Sequence, residues 1–175
     1  MLKSDLRVKH LNIRKSMSVE ERDRFSALIF NRLIQFAKYH ERIGVYISMD
    51  HEVDTRRFIE WCFMMNKKVY VPKIVGKQMI FIEIHSIDEC TMNKMGILEP
   101  ITNIPPSDEI ELMVVPMLAY NERNYRLGYG KGYYDQYLSQ SKSYRLGICF
   151  SINFEPELFE QDHDEKLAQI FTELD

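Results

Sequence analysis

Between Ile43 and Val71 the sequence changes its hydrophobic period twice. Ile43, Val45, Ile47 and Met49 alternate with other residues, as in a strand. Phe58, Ile59, Cys62 and Phe63 fall on one side of a short helix that Asp54 or Thr55 can cap. Asn66-Lys67 turns the chain, and Lys68 to Val71 form a second strand that Pro72 is expected to end. Strand, helix and strand within about thirty residues is a βαβ unit. Such a unit makes its strands parallel, because only a long crossover returns the chain to the same end of a sheet. The expectation is an α/β fold: a mostly parallel sheet flanked by helices in a Rossmann-like three-layer arrangement, with an N-terminal helical segment. At 175 residues the chain fits one domain, 1–175.

The first forty residues read as helix. Leu2, Leu6 and Ile13 form the expected inner face of the first stretch, ringed by Lys3, Arg7, Lys9 and Arg14. Ser18 followed by Glu21 is a capping box. The helix it opens places Phe25, Leu28, Ile29, Leu33, Phe36 and Ala37 at helical spacing. Further strands are expected at 78–84, after a Gly76-Lys77 turn, and at 112–115, 146–150 and 168–172, with a helix from about 131 to 138. Ser86 to Ser107 reads as an irregular surface excursion.

Several classes of function are set aside by composition. With 23 basic and 26 acidic residues the chain lacks the cationic excess of a nucleic-acid binder. Cys62, Cys90 and Cys149 have neither disulfide nor metal-ligand spacing, which suits free thiols in a reducing cytosol. The charged start, Met1 to Arg14, is unlike a signal peptide, and no apolar run reaches membrane length. A cytoplasmic protein without membrane or nucleic-acid partners is expected.

The chemistry is concentrated in the segment from Met113 to Asp135. A strand ends at Pro116, a polar loop comes next, and Gly128, Gly130 and Gly132 then occupy alternate positions before a helix. Glycines there let successive backbone N–H groups face one concavity, and a helix N-terminus adds free N–H groups. Arg126 and Lys131 add full positive charge. Such a loop suits phosphate oxygens. It is neither a Walker loop, since Lys131 is followed by Gly132, nor a dinucleotide fingerprint, since the spacing is G-x-G-x-G. A glycine-rich turn that merely permits close packing is the plainer alternative.

The run Arg126-Leu-Gly-Tyr-Gly-Lys-Gly-Tyr-Tyr-Asp135 resembles the signature of the 5-formyltetrahydrofolate cyclo-ligase family. Pro116-Met-Leu-Ala-Tyr120 resembles its Pro-Gly-Leu-Ala/Gly-Phe pattern, with Met117 in place of glycine. The basic opening helix, the 46–55 segment, Val69 to Lys73 and His163-Asp164 extend the resemblance over almost the whole chain, whereas Ser151 to Phe154 departs from it.

The resemblance implies an enzyme that converts 5-formyltetrahydrofolate to 5,10-methenyltetrahydrofolate, with ATP becoming ADP and phosphate. The formyl oxygen is phosphorylated, N10 attacks that carbon, and phosphate leaves. It also implies that Lys3, Arg7, Arg126, Leu127, Gly128, Tyr129, Gly130, Lys131, Gly132, Tyr133 and Tyr134 bind ATP, with Lys131 and Arg126 acting on the transferring group. By the same resemblance Met49, Glu52 and Asp54 bind the folate, with Tyr129 and Tyr133 packing on it. A carboxylate can accept two parallel hydrogen bonds from a pterin edge; for Asp54 a helix-capping role competes. The implied holders of Mg2+ are Asp135 and Asp164, and this cation takes one or two carboxylates beside phosphate. The partner is a small-molecule folate, and the chain is expected as a monomer or weak homodimer. A binding module without turnover, and a sugar-phosphate isomerase or acyl-CoA-type enzyme on a related scaffold, are the competing readings.

Overall fold

The computed structural model describes residues 1–175. Helices α1 (Lys3–Ser16) and α2 (Val19–Ala37) lead into strand β1 (Arg42–Val45), helix α3 (Arg56–Met64), strand β2 (Lys68–Val75) and strand β3 (Gln78–Ile84). The 86–107 excursion is more regular than expected, with a small hairpin of β4 (Cys90–Met92) and β5 (Leu98–Pro100). Strand β6 (Leu112–Val115) comes next, then a second small hairpin, β7 (Ala119–Tyr120) with β8 (Arg126–Leu127), which the sequence reading missed. Helix α4 (Tyr133–Leu138) and strands β9 (Tyr144–Ile148) and β10 (Gln169–Phe171) complete the chain.

The main sheet has the order β10-β9-β6-β1-β2-β3. All its pairings are parallel except that of β2 with β3. Strand β2 runs through Pro72 instead of ending there. Its pairing with β1 stops at Tyr70, so the missing N–H of Pro72 removes no ladder bond on that side. Val75 and Gln78 close the turn through Gly76 at φ +63°. Between β1 and β6 the chain direction across the sheet reverses, which leaves a crevice at the carboxyl ends of those strands.

The central strands bury both faces. Val69, Val71, Leu112 and Val114 face α2 and α3, packing with Ile29, Leu33, Phe58 and Ile59. Tyr70, Phe81, Met113 and Val115 face the other way, where Leu138 of α4 covers them. Complete burial of one such side chain is worth about 1.5–3 kcal/mol, so these two sets account for much of the stability. The second helical layer is thin, because α4 has only six residues. Gly147 sits over Met117: a Cβ there would collide with the Met117 methyl group and with Leu167.

The capping box forms as read, with Ser18 Oγ accepting from Glu21 N and Glu21 Oε2 from Ser18 N, both at 3.1 Å. Leu28 lies on the solvent side of α2, not in the core. Helix α1 departs further from the expected inner face. Leu2 is exposed and Ile13 only half-buried; the buried stripe is Leu6, His10 and Arg14. This helix docks mainly through polar groups. Lys9 Nζ and His10 Nε2 meet Glu155 Oε2 at 2.6 and 2.9 Å, and Asn153 Nδ2 reaches the His10 carbonyl at 3.1 Å. That contact gives the 151–154 segment a structural role the sequence left open.

Candidate active site

The loop after β1 is zipped at its base. Thr55 Oγ1 donates to the Tyr46 carbonyl at 2.6 Å and accepts from Ser48 N at 3.0 Å, and Thr55 N donates to Ser48 Oγ at 3.1 Å. Thr55 therefore holds the loop and does not cap α3 through its side chain. The tightened loop presents Met49, half-buried, and Glu52, buried, at the sheet crevice. Glu52 Oε2 accepts from Met49 N at 2.8 Å, and Oε1 accepts from the Tyr129 hydroxyl at 2.7 Å. Burial raises the Glu52 carboxyl above its ordinary range, against the opposing effect of Met49 N–H, Tyr129 and Arg14. Beside it, burial and the charges of Arg14 and Lys15 lower His51 to about 4.

Asp54 is turned elsewhere. It is exposed, accepts from Arg56 N at 2.9 Å, and borders a small cavity with Asp23, Ser26, Phe30 and Arg57. Its side chain also accepts from Ser48 Oγ at 3.4 Å, and Glu52 is the carboxylate joined to the glycine segment.

In that segment Gly130 and Gly132 have φ of +93° and +72°, a region that disfavours side chains. Arg7 Nε donates to the Gly128 carbonyl at 2.9 Å. Lys131 is exposed and makes no ion pair. The helix starts at Tyr133, not at Lys131, and its six residues make the dipole contribution small. Leu127 is buried with Leu6, Ala119 and Leu158, so its side chain anchors the segment from beneath. Tyr133 and Tyr134 pack against the core on the α4 side, and the Tyr134 hydroxyl is buried without a partner.

Arg126 differs from Lys131. Its side chain is 4% exposed and pairs with Asp135 at 3.0 Å, while Nη1 donates to the Glu165 carbonyl at 3.2 Å. Asp135 Oδ1 also accepts from Glu165 N at 3.0 Å. Asp164 Oδ2 pairs with Lys3 Nζ at 2.5 Å and accepts from Gln161 N at 2.7 Å. The 161–165 stretch is thus strapped to both the glycine segment and α1. Lys3, Arg7, Glu52, Arg126, Tyr129, Asp135 and Asp164 are linked by these bonds into one region, whereas Asp54 is not. No group of three or more metal-ligating side chains forms.

Arg14 escaped the sequence reading. It is 3% exposed, Nη1 donates to the Met117 carbonyl at 2.8 Å, and Nη2 donates to the Tyr129 hydroxyl at 2.5 Å. The available signal was its place at i+8 from Leu6 on the same helical stripe. The Met117 side chain is buried under Gly147, so it fills the core and not the crevice.

These features can be set beside known proteins. The family model described as 5-formyltetrahydrofolate cyclo-ligase matches residues 1–173. A mouse protein named 5-formyltetrahydrofolate cyclo-ligase is 26% identical over 177 residues, covering 91% of this chain and 87% of its own length. The solved structure of a 5,10-methenyltetrahydrofolate synthetase from Aquifex aeolicus superposes with a TM-score of 0.88 at 29% identity, covering 100% of this chain and 91% of that one. One from Mycoplasma pneumoniae gives 0.80 at 25% identity, covering 99% of each. Matched from end to end in sequence and in fold, and carrying the glycine segment at the crevice of its sheet, the chain belongs to the 5-formyltetrahydrofolate cyclo-ligase family.

Proposed function

We infer that this chain converts 5-formyltetrahydrofolate to 5,10-methenyltetrahydrofolate with ATP becoming ADP and phosphate. The observation that carries the reading is the Tyr129–Glu52 hydrogen bond at 2.7 Å, which joins the glycine segment to the loop after β1. A reaction that passes a phosphoryl group from ATP to a folate oxygen needs its two substrates side by side, and these are the two segments the family resemblance gives to them. Glu52 accepts hydrogen bonds from the pterin edge, with Met49 beside it. Lys131, free of any partner, reaches the transferring group, and Lys3 and Arg7 add positive charge from α1. Placing charge where it develops is the main contribution a protein makes to phosphoryl transfer. Arg126 supports the loop through Asp135. N10 loses its proton on attacking the formyl carbon, and the departing phosphate carries the former formyl oxygen.

The donor set suits Mg2+. Asp135 and Asp164 each use one carboxylate oxygen for the bonds above and leave the other without a hydrogen bond. Mg2+ is commonly held by one or two carboxylates together with substrate phosphates. When bound it would neutralise phosphate charge.

The test uses purified protein with 5-formyltetrahydrofolate, ATP and Mg2+, following methenyl absorbance and ADP together. Equal amounts of both products are expected. ATP binding without methenyl formation would favour a non-catalytic module.

A further inference from the structure

We propose that Arg14 is a positioning residue for the folate side of the site: its guanidinium turns the Tyr129 hydroxyl toward Glu52 and so presents Glu52 as an acceptor. The proposal rests on the reading of Glu52 as the pterin-binding carboxylate.

The geometry restricts the hydroxyl strongly. A tyrosine O–H has one proton to donate. Arg14 has only N–H donors, so the bond between Nη2 and the Tyr129 oxygen must use an oxygen lone pair. The hydroxyl proton is left for Glu52 Oε1, which is a pure acceptor when ionised. Without Arg14 the hydroxyl is free to rotate away. The second arm of the fork, Nη1, holds the carbonyl of Met117 at the end of β6. Arg14 thus ties three segments together: α1, the loop after β6 and the glycine segment. Lysine cannot span both acceptors in this way.

Charge reinforces the geometry. Glu52 is 6% exposed, and an isolated carboxylate so placed is pushed toward its neutral form. The groups facing it are Arg14 from α1, Tyr129 from the glycine segment, Tyr134 from α4, and Tyr46 and His51 from its own loop, with Cys149 behind Tyr46. Burial raises each of these tyrosines and Cys149 and lowers His51, so all are neutral near pH 7. The positive charge that acts on Glu52 itself comes from Arg14, while Lys15 and Arg22 act on His51 and Arg126 acts on Tyr134. A protonated Glu52 would offer the pterin edge an O–H where two acceptors are needed.

The experiment compares Arg14→Met, Arg14→Lys, Tyr129→Phe and Glu52→Gln with the wild type, measuring KM for each substrate and the pH profile of kcat/KM for folate. Every enzyme sees the same substrate, so the folate's own titration cancels in the ratios. Arg14→Met is expected to raise the folate KM by roughly ten- to a hundredfold, the scale of a lost charge-assisted hydrogen bond, with a much smaller effect on the ATP KM. Its acidic limb should move to higher pH. Arg14→Lys should return the limb toward its wild-type position while the folate KM stays raised. If Arg14→Met does not fold, Arg14→Lys and Tyr129→Phe carry the test. Equal losses for ATP and folate with an unmoved acidic limb would show that Arg14 merely seats α1, and would overturn the proposal. A normal folate KM in Glu52→Gln would overturn the reading beneath it. A defect in Glu52→Gln with none in Arg14→Met or Tyr129→Phe would overturn the Arg14 role alone.

Discussion

Arg7 occupies the space that a side chain on Gly130 would need. A Cβ built on Gly130 would stand 2.9 Å from Arg7 Cζ, and Arg7 Nε donates to the Gly128 carbonyl at 2.9 Å. The N-terminal helix and the glycine segment are therefore fitted to each other through a missing side chain, and through a backbone conformation at φ +93° that favours glycine.

Gly130→Ala should disturb both. Left-handed backbone disfavours alanine by about 1–2 kcal/mol, and the methyl group must also displace Arg7. For a chain of this size that corresponds to a melting-temperature drop of about 2–8 °C. The ATP KM should rise about tenfold, as expected for a misplaced charged donor, with little change for folate. Melting curves and steady-state kinetics check both parts. An unchanged ATP KM would mean that Arg7 does not reach the nucleotide.

Lys131 and Arg126 should separate, although the sequence places them in one cradle. Lys131 is exposed and unpaired, so Lys131→Ala should leave stability within about 0.5 kcal/mol. Its turnover should fall roughly 10²–10³-fold if it meets the transferring group. Arg126→Ala removes the buried partner of Asp135 and a donor to the Glu165 carbonyl. Breaking a fully buried pair costs about 3–5 kcal/mol, and less is expected here because the Asp135 side chain is 21% exposed. Paired melts and rate measurements decide the matter: equal stability losses in the two variants would contradict this division of roles.

Glu155 should make the docking of α1 sensitive to acid. Burial alone would raise its carboxyl, but hydrogen bonds from Lys9, His10 and Glu157 N outweigh that and bring it down to about 2. A depressed folded-state value stabilises the fold above the ordinary carboxylate range, and that stability is lost as pH falls toward 2. From an ordinary 4.5 the contribution at neutral pH is up to about 3 kcal/mol. Glu155→Gln should therefore be less stable than wild type at pH 7, and the difference should shrink between pH 4.5 and 2. Urea unfolding across that range is the measurement. A constant difference would assign the effect to packing.

Local patterns carried most of the layout. The βαβ period change located β1, α3 and β2, although β1 ends at Val45 and leaves Ile47 and Met49 in the loop after it, and the capping box fixed the start of α2. The glycine segment was legible because its backbone needs are written in residue type. Three features were not legible, for one shared reason. The inward turn of Arg14, the hold of Arg126 and Asp135 on the Glu165 backbone, and the fit of Met117 over Gly147 all depend on residues far apart in sequence. A basic residue on a helix looks the same in sequence whether it faces water or spans two acceptors. Leu2 and Leu28 failed for the converse reason: helical period marks a face, but tertiary packing decides where that face ends.

The metal reading is best tested at Asp164. Asp135 is the less suitable probe, because Asp135→Asn also releases Arg126 and so mixes a stability effect with any effect on Mg2+. Asp164 pairs with Lys3 at side-chain exposures of 11% and 21%. A part-buried pair costs less to break than the about 3–5 kcal/mol of a fully buried one, and Asp164→Asn keeps an oxygen that can accept from Gln161 N, so a modest loss of stability is expected. Two accounts of Asp164 then diverge. As a Mg2+ ligand, its loss weakens metal binding: the Mg2+ concentration for half-maximal rate should rise about tenfold or more, and excess Mg2+ should restore the rate. As only a latch for Lys3, its loss should alter the ATP KM at every Mg2+ concentration, and excess Mg2+ should restore nothing. Lys3→Met sharpens the contrast. It breaks the same pair but leaves the carboxylate in place, so under the metal account its Mg2+ requirement stays near wild type while its ATP KM rises. Mg2+ titrations of the three proteins at saturating ATP, run beside thermal melts, tell the accounts apart. If Asp164→Asn and Lys3→Met show the same Mg2+ curve as wild type, Asp164 holds the helix and not the ion.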